Sequence, residues 1–386
     1  MQFTPDMLPL ARLAQWNASR PDEVHFVQPM GGDVVREYTF AQVYDESRRI
    51  AAYLQSHGWA PGSCVAILSK NCAHWLMSDY AIWMAGYVSV PIYPTLTADS
   101  VRQILEHSQA KACFVGKLDE WPQMKPGIPD GVQCISYPLS PENDYPTWDA
   151  LVKANAPLEP VAQRGLDDLA TVIYTSGTTG MPKGVMHPFR TFVVGPEITR
   201  EGFGASADDR VLSYLPLAHV AERVFVEANA LAIGFKIYFA ESLDTFVADL
   251  HRARPTMFFS VPRLWTKFQQ GVEAKIPGPK LKRLLKLPVI GGLVRRKILK
   301  GLGLDAVRFA GGGASPMPPP LLSWYRDLGL EITDLVEAGL LGLPTRRQRG
   351  ELFLGVGAVG PQLRESVARG RVGLALEVQF FHVHAV

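Results

Sequence analysis

The sequence predicts an α/β protein whose largely parallel sheet is covered by helices on both faces. Three observations carry this. Short apolar runs of strand length alternate with stretches of helical periodicity, which is the mark of β-α-β units. Of the 386 residues, 47% are apolar and 20% charged, enough for a large core and unlike a disordered chain. At roughly 150 residues per domain, the length suits two to three domains or one large α/β unit.

Residues 38–58 read as a helix. Thr39 and Gln42 form a capping-box pattern, Val43, Ile50, Ala51 and Leu54 share one face, and Gly58 ends it. Residues 64–69 (CVAILS) read as a buried strand. The window from Trp75 to Pro94 is the most membrane-like, but it contains Asp79 and is broken by Pro91 and Pro94. It therefore reads as a buried helix over 73–86 running into an extended segment at 87–93. A helix at 100–108 and a strand at 112–115 follow, then a Pro-rich connection over 121–160. Further strands are expected near 170–175, 211–215, 236–239, 257–260 and 306–310. No internal repeat has a fixed period.

The net charge of +2, from 39 basic and 37 acidic residues, offers no argument for nucleic acid as a partner. Cys64, Cys72, Cys113 and Cys134 form no C-x-x-C pair, which fits a reducing, cytoplasmic setting. The N-terminus lacks the basic start and apolar run of a signal peptide. The histidines have no metal-ligand spacing. Residues 275–304 stand apart, with Lys275, Lys280, Lys282, Arg283, Lys286, Arg295, Arg296, Lys297 and Lys300 interleaved with apolar residues and no acid before Asp305. Two readings stay open: peripheral contact with the inner face of an anionic membrane, or a solvated helical hairpin whose apolar face joins the core.

The sharpest local signal runs from Tyr174 to Gly184 (YTSGTTGMPKG) behind the apolar strand Thr171-Val172-Ile173. Glycines let a backbone curl closely around an anion so that successive N–H groups converge on phosphate oxygens. Thr175, Ser176, Thr178 and Thr179 add hydroxyl donors, and Lys183 adds a cation. Pro182 before the Lys and Gly184 after it separate this run from a Walker A loop. A flexible Ser/Thr/Gly linker would not sit between two apolar segments with a Lys held behind a Pro.

This run resembles the signature loop of the AMP-forming adenylating enzymes, which include acyl-CoA synthetases, peptide-synthetase adenylation domains and firefly-type luciferases. The resemblance covers residues 10–334. It includes Val90-Pro91-Ile92-Tyr93-Pro94 and Gly311-Gly312-Gly313-Ala314-Ser315-Pro316, similar to the glycine turn that walls the adenine and acyl pockets. The run 215–223 (LPLAHVAER) is similar to the long-chain fatty acyl-CoA synthetase branch. The resemblance implies a large N-terminal domain of the adenylate-forming fold, with two parallel-type sheets packed with helices. It implies a ligase that joins a fatty acid to ATP as acyl-adenylate and then to coenzyme A as a thioester. Residues Thr175, Ser176, Gly177, Thr178, Thr179, Gly180 and Lys183 would hold the β- and γ-phosphates, with Thr175 a magnesium ligand and Lys183 a catalytic cation. His219 would lie near the acyl carboxylate. Gly311, Gly312, Gly313, Ala314, Ser315 and Pro316 would line the nucleotide. Without the resemblance, His219 reads as a core-edge histidine bonded to backbone, and Glu222 and Arg223 as an ordinary surface pair; Glu222 receives no role.

After Asp334 the family continues with Y-G-x-T-E, where this sequence has Leu335-Val336-Glu337-Ala338-Gly339-Leu340-Leu341-Gly342. The division expected is an incomplete AMP-binding N-terminal domain at 1–334 and a divergent tail at 335–386, with the C-terminal small domain missing. An altered reading frame or premature end near Leu335 is the expectation. Two alternatives remain beside the ligase: a catalytically silent nucleotide- or acyl-binding remnant, and an adenylating enzyme that feeds a carrier protein.

Overall fold

The computed structural model describes residues 4–175, 182–334, 345–348 and 351–353. The strands are β1 (Val24–Gly31), β2 (Val34–Thr39), β3 (Cys64–Leu68), β4 (Val88–Ile92), β5 (Ala112–Val115), β6 (Gln133–Ser136), β7 (Leu169–Thr175) and β8 (Lys183–Pro188). They continue with β9 (Arg210–Ser213), β10 (Lys236–Phe239), β11 (Met257–Ser260), β12 (Phe309–Gly312) and β13 (Ile332–Asp334). A six-stranded sheet has the order β6-β5-β3-β4-β7-β8, a four-stranded sheet β2-β1-β10-β9, and a three-stranded sheet β11-β12-β13. Antiparallel pairing occurs in these sheets only at an edge, β7 with β8 and β1 with β2; the other pairings are parallel. The α/β expectation is met, with a third, smaller parallel sheet beside two larger ones. A short antiparallel pair, Thr345–Gln348 with Glu351–Phe353, lies beyond them.

Capping and periodicity account for the first long helix, Phe40–Ser56. Thr39 accepts from the Gln42 N–H while the Gln42 side chain accepts from the Thr39 N–H. Val43, Ile50, Ala51 and Leu54 are its buried face. The helix Ala73–Met84 is buried at every residue and β4 likewise, so the most apolar window belongs to the core of the six-stranded sheet. Among the described residues no helix is long and apolar enough to cross a membrane.

Two expectations are corrected. The Pro-rich connection contains β6 and the helix Trp148–Ala154, whose N-cap is Thr147. Only pairing with β5 makes the four residues of β6 a strand. The hairpin β1–β2 lies outside the elements expected from the sequence; β1 is buried over five successive residues. The strand expected at 306–310 forms at Phe309–Gly312, because its glycines pair with Phe259 and Ser260 of β11. The basic segment folds as two helices, Gly278–Leu285 and Ile290–Gly301, with Leu281, Leu285 and Ile298 buried in the second core.

Candidate functional site around the phosphate loop and the His219 run

The signature loop joins β7 to β8, whose register opposes Thr175 to Lys183. The loop therefore leaves and re-enters the sheet at one rung, and Lys183, with an exposed side chain, stands beside its mouth. Ser176, Gly177, Thr178, Thr179 and Gly180 lie outside the described residues. Residues at the carboxyl end of a parallel sheet are where α/β proteins place ligands. The hydroxyl of Tyr174, next to Thr175, lies 2.7 Å from His107 Nδ1.

His219 sits beyond β9, at the N-cap of Val220–Glu222. Its Nδ1 accepts from the Ala221 N–H at 3.1 Å, and burial lowers its pKa. The ring is therefore neutral, with Nε2–H left as donor. The segment before it is pinned by Asn71, which follows β3. The Asn71 amide N–H groups donate to the Leu215 carbonyl (2.6 Å) and Ser213 Oγ (2.8 Å), and its carbonyl accepts from the Leu217 N–H (3.1 Å). One side chain thus fastens the Leu215–His219 run to the six-stranded sheet.

Glu222 and Arg223 are not a surface pair: both are buried. Helical phase turns them inward once the Leu215–Leu217 segment is fixed against the sheet. Glu222 Oε1 accepts from Ser213 Oγ (2.9 Å) and the Tyr214 N–H (3.0 Å). Burial nevertheless pushes its pKa up to about 8. Because the folded value lies above the ordinary one, this carboxyl adds stability that is full below about pH 4.5 and is lost as pH rises through about 8. Glu222→Gln keeps the acceptor and removes the titration. It should match the parent near pH 5 and exceed it in unfolding free energy above pH 8, measured by urea unfolding across pH. Equal slopes of stability against pH for both proteins would contradict the assignment.

Arg223 opens a π-helical stretch, Arg223–Ala228, between two short α-helical pieces. Such bulges occur often at functional sites. Its Nε lies 2.9 Å from Glu227 Oε2, its Nη2 pairs with Asp79, and its Nη1 donates to Thr171 Oγ1 at 2.6 Å. Trp75, Trp83 and Phe192 surround the guanidinium, with ring centroids 4.9–5.6 Å away. Burial opposes the charge, but the two carboxylates outweigh it and hold Arg223 protonated. Burial also raises Glu227 well above the carboxylate range. Thr171 lies on β7, four residues before Thr175, so Arg223 ties the His219 run to the strand that carries the phosphate loop. Gly195 permits this packing: a Cβ there would sit 2.5 Å from Val224 Cγ1.

Gly311 and Gly312 end β12, and the Gly313 N–H donates to the Ser260 carbonyl at 3.2 Å. A Cβ on Gly312 would sit 2.6 Å from Met317 Sδ, so a side chain there would displace the Met317 thioether. Ala314 has φ +67°, and Ser315 and Pro316 are exposed. Tyr214 reaches this sheet, its hydroxyl donating to the Phe259 carbonyl at 3.0 Å, and Phe225 stacks on Phe259 at 4.7 Å. The His219 run is therefore bonded both to the sheet bearing Lys183 and to the sheet bearing Gly311–Gly313.

Among the described residues no three His, Cys, Asp or Glu side chains cluster as metal ligands. Among the described residues Thr175 ends β7 at the loop mouth, opposite Lys183.

The sequence reading missed Asn71, Asp79, Thr171 and Glu227. A signal existed for one of them: Asp79 in a mostly apolar buried helix calls for a buried partner or a proton.

Comparison with known proteins gives the family and the fold. The family described as AMP-binding enzyme matches residues 13–339, so the match ends close to Leu335, where the motif pattern is lost. A peroxisomal long chain acyl-CoA synthetase 7 of Arabidopsis thaliana is 31% identical over 335 residues, covering 75% of this chain and 45% of the relative. The long-chain-fatty-acid–CoA ligase FadD15 of Mycobacterium bovis is 30% identical over 352 residues, covering 81% and 57%. The chain thus spans about half the length of these curated relatives. Among solved structures, the adenylation and carrier didomain of a carboxylic acid reductase from Segniliparus rugosus, in complex with AMP, matches with TM-score 0.70 at 22% identity, covering 86% of this chain and 53% of that one. The N-terminal domain of FACL13 from Mycobacterium tuberculosis matches with TM-score 0.66 at 22% identity, covering 85% and 75%. The family match, the shared fold and the pinned signature runs lead to one conclusion: the chain belongs to the AMP-binding enzyme family.

Proposed function

We propose that this chain binds ATP through the β7–β8 loop and activates a fatty acid as its acyl-adenylate, with coenzyme A as the final acceptor. The observation that carries the reading is the Arg223–Thr171 contact, which fixes the His219 run relative to the strand leading into Thr175 and Lys183. The fatty-acid carboxylate attacks the α-phosphorus; an acyl O–P bond forms and the bond to pyrophosphate breaks. Charge spreading over the phosphate oxygens calls for cations and N–H donors more than for a protein nucleophile. Lys183 would balance the β- and γ-phosphates, and Nε2–H of neutral His219 would orient the carboxylate without adding charge. The thiol of coenzyme A then attacks the acyl carbon and AMP leaves. Thr175 would help to hold magnesium, which would supply charge neutralisation at the phosphates.

The family names of the relatives, long-chain acyl-CoA synthetases and ligases, and the LPLAHVAER run support a long-chain acid. The proposal includes peripheral contact with a membrane through residues 275–304. Incubation with ATP, Mg²⁺ and a panel of fatty acids should release pyrophosphate and yield acyl-adenylate. A second reading, a nucleotide-binding protein without turnover, is favoured by Leu335–Gly342 standing where the family has Y-G-x-T-E. It would show as ATP binding with no adenylate, whereas failure to bind ATP would end both readings.

A further inference from the structure

The mouth of the phosphate loop is bounded by one rung, Thr175 opposite Lys183, and the rung next to it pairs Tyr174 with Gly184. Tyr174 is buried and its ring lies against that glycine: a Cβ on Gly184 would sit 3.2 Å from Tyr174 Cζ and 2.8 Å from Val172 Cγ1. An aromatic ring laid across a cross-strand glycine fills the space of the missing side chain and fixes the pairing. This matters here because β8 is the edge strand of the six-stranded sheet, bonded to β7 alone among its strands, and Lys183, Gly184 and Met186 are exposed. The phenol is held in turn from outside the sheet. Its hydroxyl lies 2.7 Å from His107 Nδ1, and the two rings meet edge to face at 5.6 Å. His107 stands in the last turn of the helix Ala98–Ser108, which is capped by Thr97 and anchored by buried Val101, Ile104 and Leu105. Ile104, Leu105 and Tyr174 belong to one apolar cluster, so helix and phenol are packed together as well as bonded.

We propose that His107 and Tyr174 are positioning residues for Lys183: their hydrogen bond fixes the phenol ring over Gly184, and the ring fixes the β7–β8 rung from which Lys183 reaches the β- and γ-phosphates of ATP. A buried phenol needs a hydrogen-bond partner wherever it stands, so satisfying the hydroxyl would by itself be a structural role. The place of the ring gives the pair its further consequence. Tyr174 precedes Thr175 in its own strand and packs on the residue that follows Lys183 in the other, so a tilt of the ring moves both sides of the mouth together. A displacement of about 1 Å is enough to lose much of a contact to a bound group. The inference deepens the proposed function and rests on its reading of the loop as an ATP site.

His107→Ala and Tyr174→Phe should each weaken ATP binding by the full chain about three- to tenfold, the loss expected when one hydrogen bond no longer supports the contact. AMP, which has no β- or γ-phosphate, should bind each variant as it binds the parent. His107→Asn, whose side-chain amide can reach the place of Nδ1, should restore ATP affinity. In a Lys183→Ala background, His107→Ala should cost nothing further, because the two act on one contact. Titration calorimetry with ATP and Mg²⁺, and with AMP, reads each of these. Unchanged ATP affinity in His107→Ala, equal losses for ATP and AMP, or full additivity with Lys183→Ala would overturn the proposal and leave the nucleotide reading in place. A parent that binds no ATP would overturn the nucleotide reading and this role with it.

Discussion

Arg223→Met should lower the unfolding free energy by about 3–5 kcal/mol, the cost of removing one partner from a buried ion pair. The side chain is buried beside Asp79 and Glu227, and Asp79 Oδ1 and Glu227 Oε1 already accept no hydrogen bond. Without the guanidinium, two carboxyls would remain in a dry site walled by Trp75, Trp83 and Phe192. Each would need a proton to stay buried. The sign of the pH dependence follows: both carboxyl pKa values are already raised by burial, and losing the cation raises them further. The deficit should therefore grow as pH rises and shrink as pH falls. Asp79→Asn/Arg223→Met/Glu227→Gln, which removes all three charges, should recover most of the loss. Chemical denaturation at two pH values checks this; a deficit below about 1 kcal/mol, independent of pH, would mean the cluster is not the pin described here.

Lys183→Ala should weaken ATP binding about ten- to a hundredfold, as expected for the loss of one charge-assisted contact to phosphate. The side chain is exposed, so stability without nucleotide should be unchanged, which separates a binding role from a folding role. Titration calorimetry with ATP and Mg²⁺ reads the affinity. Affinity equal to that of the parent would remove Lys183 from the site and with it the main cation of the proposed reaction.

Much of the proposed phosphate site was legible because its chemistry is local. Glycines that free the backbone, four hydroxyl residues and a Lys behind a Pro stand in one run, and the strand before them is largely apolar. The antiparallel return of that run as β8 was not legible. Lys183–Pro188 alternates exposure poorly and contains Met186, which is exposed; only pairing with β7 makes it a strand. His219 illustrates the same divide. Its place in LPLAHVAER and a bond to backbone were legible, and the Ala221 N–H that makes the bond is two residues on, while the Asn71 clasp on Leu217 comes from 146 positions away.

The chain order alone determined the alternation of helix and strand, the capped helix from Thr39, the buried window around Asp79 and the three signature runs, because each is set by neighbours within a few residues. Tertiary structure decided the burial of Glu222 and Arg223, the neutral state of Glu222 below about pH 8 and the fastening of the His219 run to two sheets. The physical reason is desolvation: whether a charge is taken from water depends on which distant side chains close over it. Periodicity along the chain does not carry that information.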